Sequence, residues 1–213
     1  MARIAIIIPA DEKYQSVWDT MYPNLCEYAA KHKYDIIRIQ NPGQRGMPWE
    51  KIRSCLEIFE QQSDYEWLFL RGVDFLVMNN KILLENFIDE NYDMIVSKDC
   101  HGINFDAVLI RNCDWSKKYL NYIYEEGYKK YNHDCWKEQR CVMQTHNDPE
   151  WRDHIKVIPQ KSFNSYWYPY YNISENEPGH YAKGDLHLHF VGIPNDERAV
   201  KMKDWLGSIK QDE

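Results

Sequence analysis

Two short stretches place charged and imidazole side chains where packing alone has no use for them. Between Trp67 and Asn79 (WLFLRGVDFLVMN) an apolar run stops at Arg71-Gly72-Val73-Asp74 and resumes at Phe75. A continuous apolar run is how a strand buried on both faces of a sheet reads, so a carboxylate at its end needs a partner. Between Gly184 and Gly192 (GDLHLHFVG), Asp185, His187 and His189 alternate with Leu186, Leu188 and Phe190. Period-two geometry puts the three polar side chains on one face of a strand. One carboxylate with one or two imidazoles suits a divalent cation. Each residue also has an ordinary use, Asp74 as a turn or cap residue and His189 as a hydrogen-bonded core histidine.

Elements that would position these groups are legible along the chain. Arg3 to Pro9 (RIAIIIP) reads as a first strand, and Trp18, Met21, Leu25, Tyr28 and Ala29 mark a helix within Tyr14 to Lys33. Asp35 to Gln40 reads as a second strand, followed by an Asn41-Pro42-Gly43 turn. After Pro48, the spacing of Ile52, Cys55, Leu56 and Phe59 predicts a second helix. Glu66 to Leu70, Asp93 to Ser97, Ala107 to Arg111 and Ile155 to Ile158 read as strands, with His187 to Val191 closing the sheet. Ser116 to Lys130, Glu138 to Gln144 and Asp196 to Ile209 read as helices. Strands alternating with helices imply an α/β fold with a mostly parallel central sheet, whose ligands sit outside the carboxyl ends of the strands. Both polar stretches fall near such ends.

Composition excludes several function classes. Lys and Arg number 26 against 33 Asp and Glu, a formal charge of -7, which argues against a broad electrostatic grip on nucleic acid or anionic lipid. No apolar stretch approaches the ~18 residues of a membrane span, and nothing resembles a signal peptide, so the chain is expected to be soluble and cytoplasmic. The 213 residues contain no linker, charge block or internal repeat and are expected to form one domain over 1–213. The six cysteines form no Cys-x-x-Cys pair and are expected to be reduced. The Asn172-Ile173-Ser174 sequon would matter only in a secretory compartment.

A set of motifs in joint order carries a resemblance: Asn24 to Tyr34 (NLCEYAAKHKY), Trp49 with Lys51, Trp67 to Asn79, and Gly102 to Ser116 (GINFDAVLIRNCDWS). It continues through Glu138-Gln139, His146-Asn147, Ile158-Pro159-Gln160, Phe163-Asn164-Ser165-Tyr166, and Gly184 to Gly192. These residues resemble the retaining glycosyltransferases of family 34, galactosyl-, mannosyl- and xylosyltransferases of GT-A fold. The chain is also similar to glycosyltransferase domains that large algal viruses (chloroviruses) encode for capsid glycans, which would place it in the infected host cell.

The resemblance implies a Mn²⁺ (or Mg²⁺) ion bridging the diphosphate of a nucleotide-sugar donor, UDP being the nucleotide most of the family uses. The family's Asp-x-Asp motif reads Gly72-Val73-Asp74 here, so only its second carboxylate is present. Asp74 and His189 match the metal ligands, and His187 is the competing imidazole. Asp185 is expected to orient a histidine or bind backbone amides. Ile8, Pro9 and Ala10 match the place that receives base and ribose, and Arg71, Val73, Asp74 and Gly192 would complete the donor site. Asn104, Glu138 and Gln139 match the catalytic positions, with Gln139 steadying an oxocarbenium-like sugar and Glu138 holding a donor hydroxyl. The implied activity is transfer of a hexose to a glycan or glycoprotein acceptor with retention, either through a carboxylate nucleophile or by attack from the leaving-group side. The aromatic run Tyr166 to Tyr171 (YWYPYY) suits a sugar-stacking surface or a ring-packed loop. Two rival readings are a catalytically silent carbohydrate- or nucleotide-binding protein, since Gly72 replaces an acid, and a metal-dependent hydrolase using Asp185, His187 and His189.

Overall fold

The computed structural model describes residues 2–61, 64–167 and 178–209. The β-branched run at the amino terminus forms β1 (Ile4–Pro9). It is buried on both faces: Ile4, Ile6 and Ile8 enter one core, while Ala5 and Ile7 enter the other. After α1 (Gln15–His32) the chain leaves the helix through Lys33 in left-handed conformation, φ 63°, and forms β2 (Asp35–Ile39). Then come α2 (Met47–Gln61), β3 (Trp67–Arg71), β4 (Phe75–Val77), β5 (Met94–Asp99) and β6 (Gly102–Arg111). The second half adds α3 (Asp114–Tyr122), α4 (Tyr128–Tyr131), α5 (Lys137–Thr145), β7 (Ile155–Ile158), β8 (His187–His189) and α6 (Asn195–Ile209).

The six-stranded sheet has the order β2-β1-β3-β6-β5-β7. Its β1/β2, β1/β3 and β5/β7 pairs are parallel, and β6 alone runs antiparallel to both neighbours. Helices α1 and α6 pack with the first core, and α2, α3 and α5 with the second, giving a helix-sheet-helix sandwich. From β1 the sheet grows outward to β2 on one side and to β3 on the other, and such a switch point opens a crevice at the strand ends.

Three expectations are corrected here. His187–Val191 does not close the sheet: β8 pairs antiparallel with β4 in a separate two-stranded ribbon, with His189 opposite Phe75 and His187 opposite Val77. Asn24 on α1 holds that ribbon, its side chain accepting from Val77 N at 2.8 Å and donating to Val77 O at 3.0 Å. The strand expected over Ala107–Arg111 begins earlier, at Gly102, and runs through a bulge. Val96 pairs with Val108 but Ser97 with Asn104, so Phe105, Asp106 and Ala107 have no residue opposite on β5. Polar Asn104 and Asp106 hid this part of the strand. The bulge switches faces, putting Phe105 in one core and Ala107 in the other, and it turns Asp106 out of the sheet. The helix expected over Ser116–Lys130 is interrupted by a π-helical turn at Ile123–Gly127.

Among the described residues no helix is long and apolar enough to cross a membrane. None of the six cysteines, all of them among the described residues, is in a disulfide.

Candidate active site

The crevice predicted by the topology is a cleft of 420 Å³. It is lined by Pro9 at the end of β1, Gly72, Val73 and Asp74 after β3, Asn104 and Asp106 from the β6 bulge, and Glu138 and Gln139 from α5; Gly72 N donates to Asp106 O at 2.8 Å, so the β3 turn and the bulge adjoin. Glu138 and Gln139 arrive from the first turn of α5, which Asp134 supports by accepting from Trp136 N at 2.8 Å. Lys137, between Trp136 and Glu138, is in left-handed backbone conformation, φ 44°, a strained arrangement of the kind that collects at functional sites.

Asp74 is clasped on both oxygens. Its Oδ1 lies 3.5 Å from His189 Nε2 and its Oδ2 lies 3.4 Å from Arg198 Nη1. Burial would raise the carboxyl, but the fields of His189 and Arg198 outweigh it and hold Asp74 well below the usual carboxylate range. Asn164 Oδ1 accepts from His189 Nδ1 at 2.6 Å, and Nε2 is the ring nitrogen turned to the Asp74 side. The Phe75 ring stacks on His189 at 3.8 Å and fixes the imidazole plane. One carboxylate oxygen and one oriented imidazole nitrogen fit a divalent cation that takes its remaining ligands from substrate and water. Among the described residues no cluster of three or more His, Cys, Asp or Glu side chains adds a further protein ligand. Gly72 is a close-approach glycine: a Cβ there would stand 2.7 Å from Asp74 Oδ1 and 3.1 Å from the Phe75 ring.

In the same cleft, Lys51 from α2 lies 2.8 Å from Glu138 Oε1 and 3.0 Å from Asp106 Oδ1. Burial opposes the ammonium, yet the two carboxylates hold Lys51 above the ordinary lysine value. Burial lifts Glu138 above the usual carboxylate range despite Lys51. The secure charge of this pair is the ammonium, because two carboxylates face it. Gln139 Oε1 accepts from Phe105 N at 2.9 Å. Asn104 accepts from Asp106 N at 2.9 Å and donates to Asp99 Oδ2 at 3.0 Å, and Tyr166 OH donates to the same Asp99 oxygen at 2.6 Å. Asp99, His101, Trp136 and Tyr166 thus form a polar and aromatic rim.

Pro9, Val73, Asp74, Asn104, Glu138 and Gln139 meet in one cleft, and His189 backs it through Asp74. Ile8 and Ala10 are fully buried and do not line it; their side chains belong to the core. Gly192 is exposed beside Val191, which takes the lining position. Arg71 departs furthest from expectation. It follows Phe69 on the same face of β3, so alternation turns it inward, where it is 1% exposed. It donates to Phe75 O at 2.5 Å and Gly72 O at 3.2 Å, bracing the turn that carries Asp74, and burial brings its pKa down to about 9. His187 is walled in by Phe69, Phe75 and Arg71, and burial, then the Arg71 charge, keeps it neutral. It faces Phe163 O rather than Asp74. Asp185 does bind a backbone amide, Ala182 N at 2.9 Å, together with Ser165 Oγ at 2.8 Å. Tyr166 and Trp167 are the described part of the aromatic run; Tyr168 to Tyr171 and the Asn172 sequon lie outside the described residues.

Lys51, Asp106, Asp99, Tyr14 and Arg198 were not among the candidate site residues, although Lys51 and Asp106 fall within motifs that carry the resemblance. Lys51 carried a usable signal, since it falls on the buried stripe of α2 with Cys55 and Ile58, and a lysine there demands a partner. Asp106 breaks an apolar run as Asp74 does, but only the bulge brings it into the cleft.

Residues 88–199 match the model of the galactosyl transferase GMA12/MNN10 family, a stretch that includes Asn104, Glu138, Gln139 and His189. An uncharacterised α-1,2-galactosyltransferase of Schizosaccharomyces pombe is 24% identical over 213 aligned residues, covering 81% of this chain and 55% of the relative. A probable α-1,6-mannosyltransferase, MNN10 of Saccharomyces cerevisiae, is 22% identical, covering 77% and 54%. The chain therefore spans about half the length of the curated relatives it matches. The crystal structure of a glycosyltransferase involved in the glycosylation of the major capsid of PBCV-1 has the same fold, with a TM-score of 0.77 at 16% identity over 95% of this chain and 99% of that one. Because the family match extends over half of the chain and the fold agrees, this chain belongs to the galactosyl transferase GMA12/MNN10 family, glycosyltransferase family 34, and has the GT-A fold.

Proposed function

We propose that the protein is a glycosyltransferase that moves a hexose from a UDP-sugar to a glycan or glycoprotein acceptor with retention of anomeric configuration. The observation that carries this reading is that Asp74, with His189 behind it, shares one cleft with Asn104, Glu138 and Gln139. Asp74 and His189 would hold the Mn²⁺ or Mg²⁺ ion, which supplies positive charge to the departing diphosphate when bound.

The remaining roles belong to this chain's own side chains. Gln139 Oε1 accepts one hydrogen bond from Phe105 N and keeps a second lone pair for the electron-deficient sugar carbon. Glu138, tied to Lys51, is suited to hold a donor hydroxyl rather than to attack carbon. That tie favours acceptor attack from the leaving-group side, with a diphosphate oxygen taking the acceptor proton. Pro9 and the backbone around it suit the base and ribose, and Val73 lines the same wall. The rim of Trp136 and His101 offers aromatic surface to an acceptor sugar. The relatives' names divide between galactosyl and mannosyl transfer, which makes galactose and mannose the donor sugars to compare first.

Calorimetric titration of UDP, GDP and CMP into metal-stripped protein, with and without Mn²⁺, tests the donor reading. UDP binding that requires Mn²⁺ is expected; no binding of any nucleotide would overturn it. Transfer from UDP-hexoses, with the product anomer read by NMR, tests retention. A second reading, nucleotide binding without turnover, draws on Gly72 and on the full occupancy of Asp74 by Arg198 and His189. Donor turnover would exclude it.

A further inference from the structure

Asp74 already has a cation of its own. Arg198, in the first turns of α6, is 7% exposed and reaches Asp74 Oδ2 through Nη1. The same Nη1 donates to Asn195 Oδ1 at 2.9 Å, and Asn195 Nδ2 donates to Lys13 O at 2.9 Å, so the guanidinium is tethered to the segment before α1. Its Nε is buried without a hydrogen-bond partner. Tyr14, which lines the cleft, lies within the field of both Asp74 and Arg198.

A guanidinium stays charged at every working pH and strongly favours oxyanions. A divalent ion brought to Asp74 would therefore meet a fixed like charge across the same carboxylate. A buried donor without a partner, beside a cleft, is also ready for an anion with several acceptor oxygens.

We propose that Arg198 is a tethered counter-cation that competes with the divalent ion for Asp74 and transfers to the diphosphate when a nucleoside diphosphate binds. Metal and nucleotide then bind with a positive coupling that depends on Arg198, and linkage makes the effect reciprocal. This rests on the reading of Asp74 and His189 as the metal-holding pair.

The test measures Mn²⁺ binding to the metal-stripped chain by electron paramagnetic resonance of free Mn²⁺, with and without UDP. Arg198→Met is expected to tighten Mn²⁺ alone by about tenfold and to shrink the gain that UDP confers. Asn195→Ala, which releases the tether but keeps the charge, is expected to move Mn²⁺ affinity in the same direction by less. Unchanged or weaker Mn²⁺ binding by a folded Arg198→Met protein overturns the competition. Asp74→Asn separates the two claims: if it leaves Mn²⁺ binding at the wild-type level, the metal-site reading fails. If it abolishes binding while Arg198→Met changes nothing, only the competition fails.

Discussion

Lys51 Nζ stands 2.8 Å from Glu138 Oε1, with the two side chains only 6% and 7% exposed. A helix on one side of the cleft is thereby tied to the helix that carries the residues proposed to meet the sugar. Lys51→Met would leave two carboxylates facing an apolar group, and removing one partner of a buried pair costs about 3–5 kcal/mol. Urea unfolding should show that loss, and Lys51→Met combined with Glu138→Gln should recover part of it. The pH dependence has a definite sign. The ammonium is held above its ordinary 10.5, so the stability it contributes is whole below that value and is lost as pH climbs through the folded value in alkali. Removal of Lys51 should therefore lower stability undiminished across the neutral range.

Restoring the family's missing acid should not improve the site. In Gly72→Asp the added Cβ would press on Asp74 Oδ1 and the Phe75 ring, the two groups that set the His189 geometry. Mn²⁺-dependent UDP binding is expected to weaken by about tenfold, or ~1.4 kcal/mol. An affinity gain would mean that Asp74 yields freely and that Gly72 is no part of the site's geometry.

The two histidines of β8 should separate cleanly. His189→Ala is expected to weaken Mn²⁺ by at least about tenfold. His187→Phe, in an apolar box between Phe69 and Phe75, should leave metal affinity unchanged. The reverse ranking would return the metal role to His187.

Thiol reactivity should follow burial. Cys55 and Cys141 are buried, and burial pushes both thiols up to about 12, so neither holds appreciable thiolate at pH 8. Cys135 is exposed and lines the cleft, and Cys100 is exposed on the turn before β6. Mass spectrometry after iodoacetamide treatment should find Cys100 and Cys135 labelled and Cys55 and Cys141 intact. UDP with Mn²⁺ should protect Cys135. Equal labelling of Cys135 with and without nucleotide would place the donor away from that wall.

Much of this layout was legible along the chain because it rests on local periodicity. The β-branched run RIAIIIP reads as a strand with two apolar faces, and WLFLR broken by GVD reads as a strand ending in a turn. The helical stripes of α1, α2 and α6 follow from spacing alone. Asp74, His187 and His189 stood out for the same reason, as polar groups set against apolar strands, and only the family resemblance put His189 ahead of His187. Pairing between distant strands was beyond that reach. The ribbon of β4 with β8 joins residues more than a hundred positions apart, and it decides that His189 rather than His187 faces Asp74. Arg71 reads as a phosphate binder in a string of letters, yet the pleat of β3 turns it into the core. Asp106 becomes a cleft residue only through a bulge, and Arg198 reaches Asp74 only because α6 docks on α1. Sequence alone determined which segments bury their faces; tertiary structure decided which charges meet, because charge partners are chosen by packing between segments that carry no record of one another in their spacing.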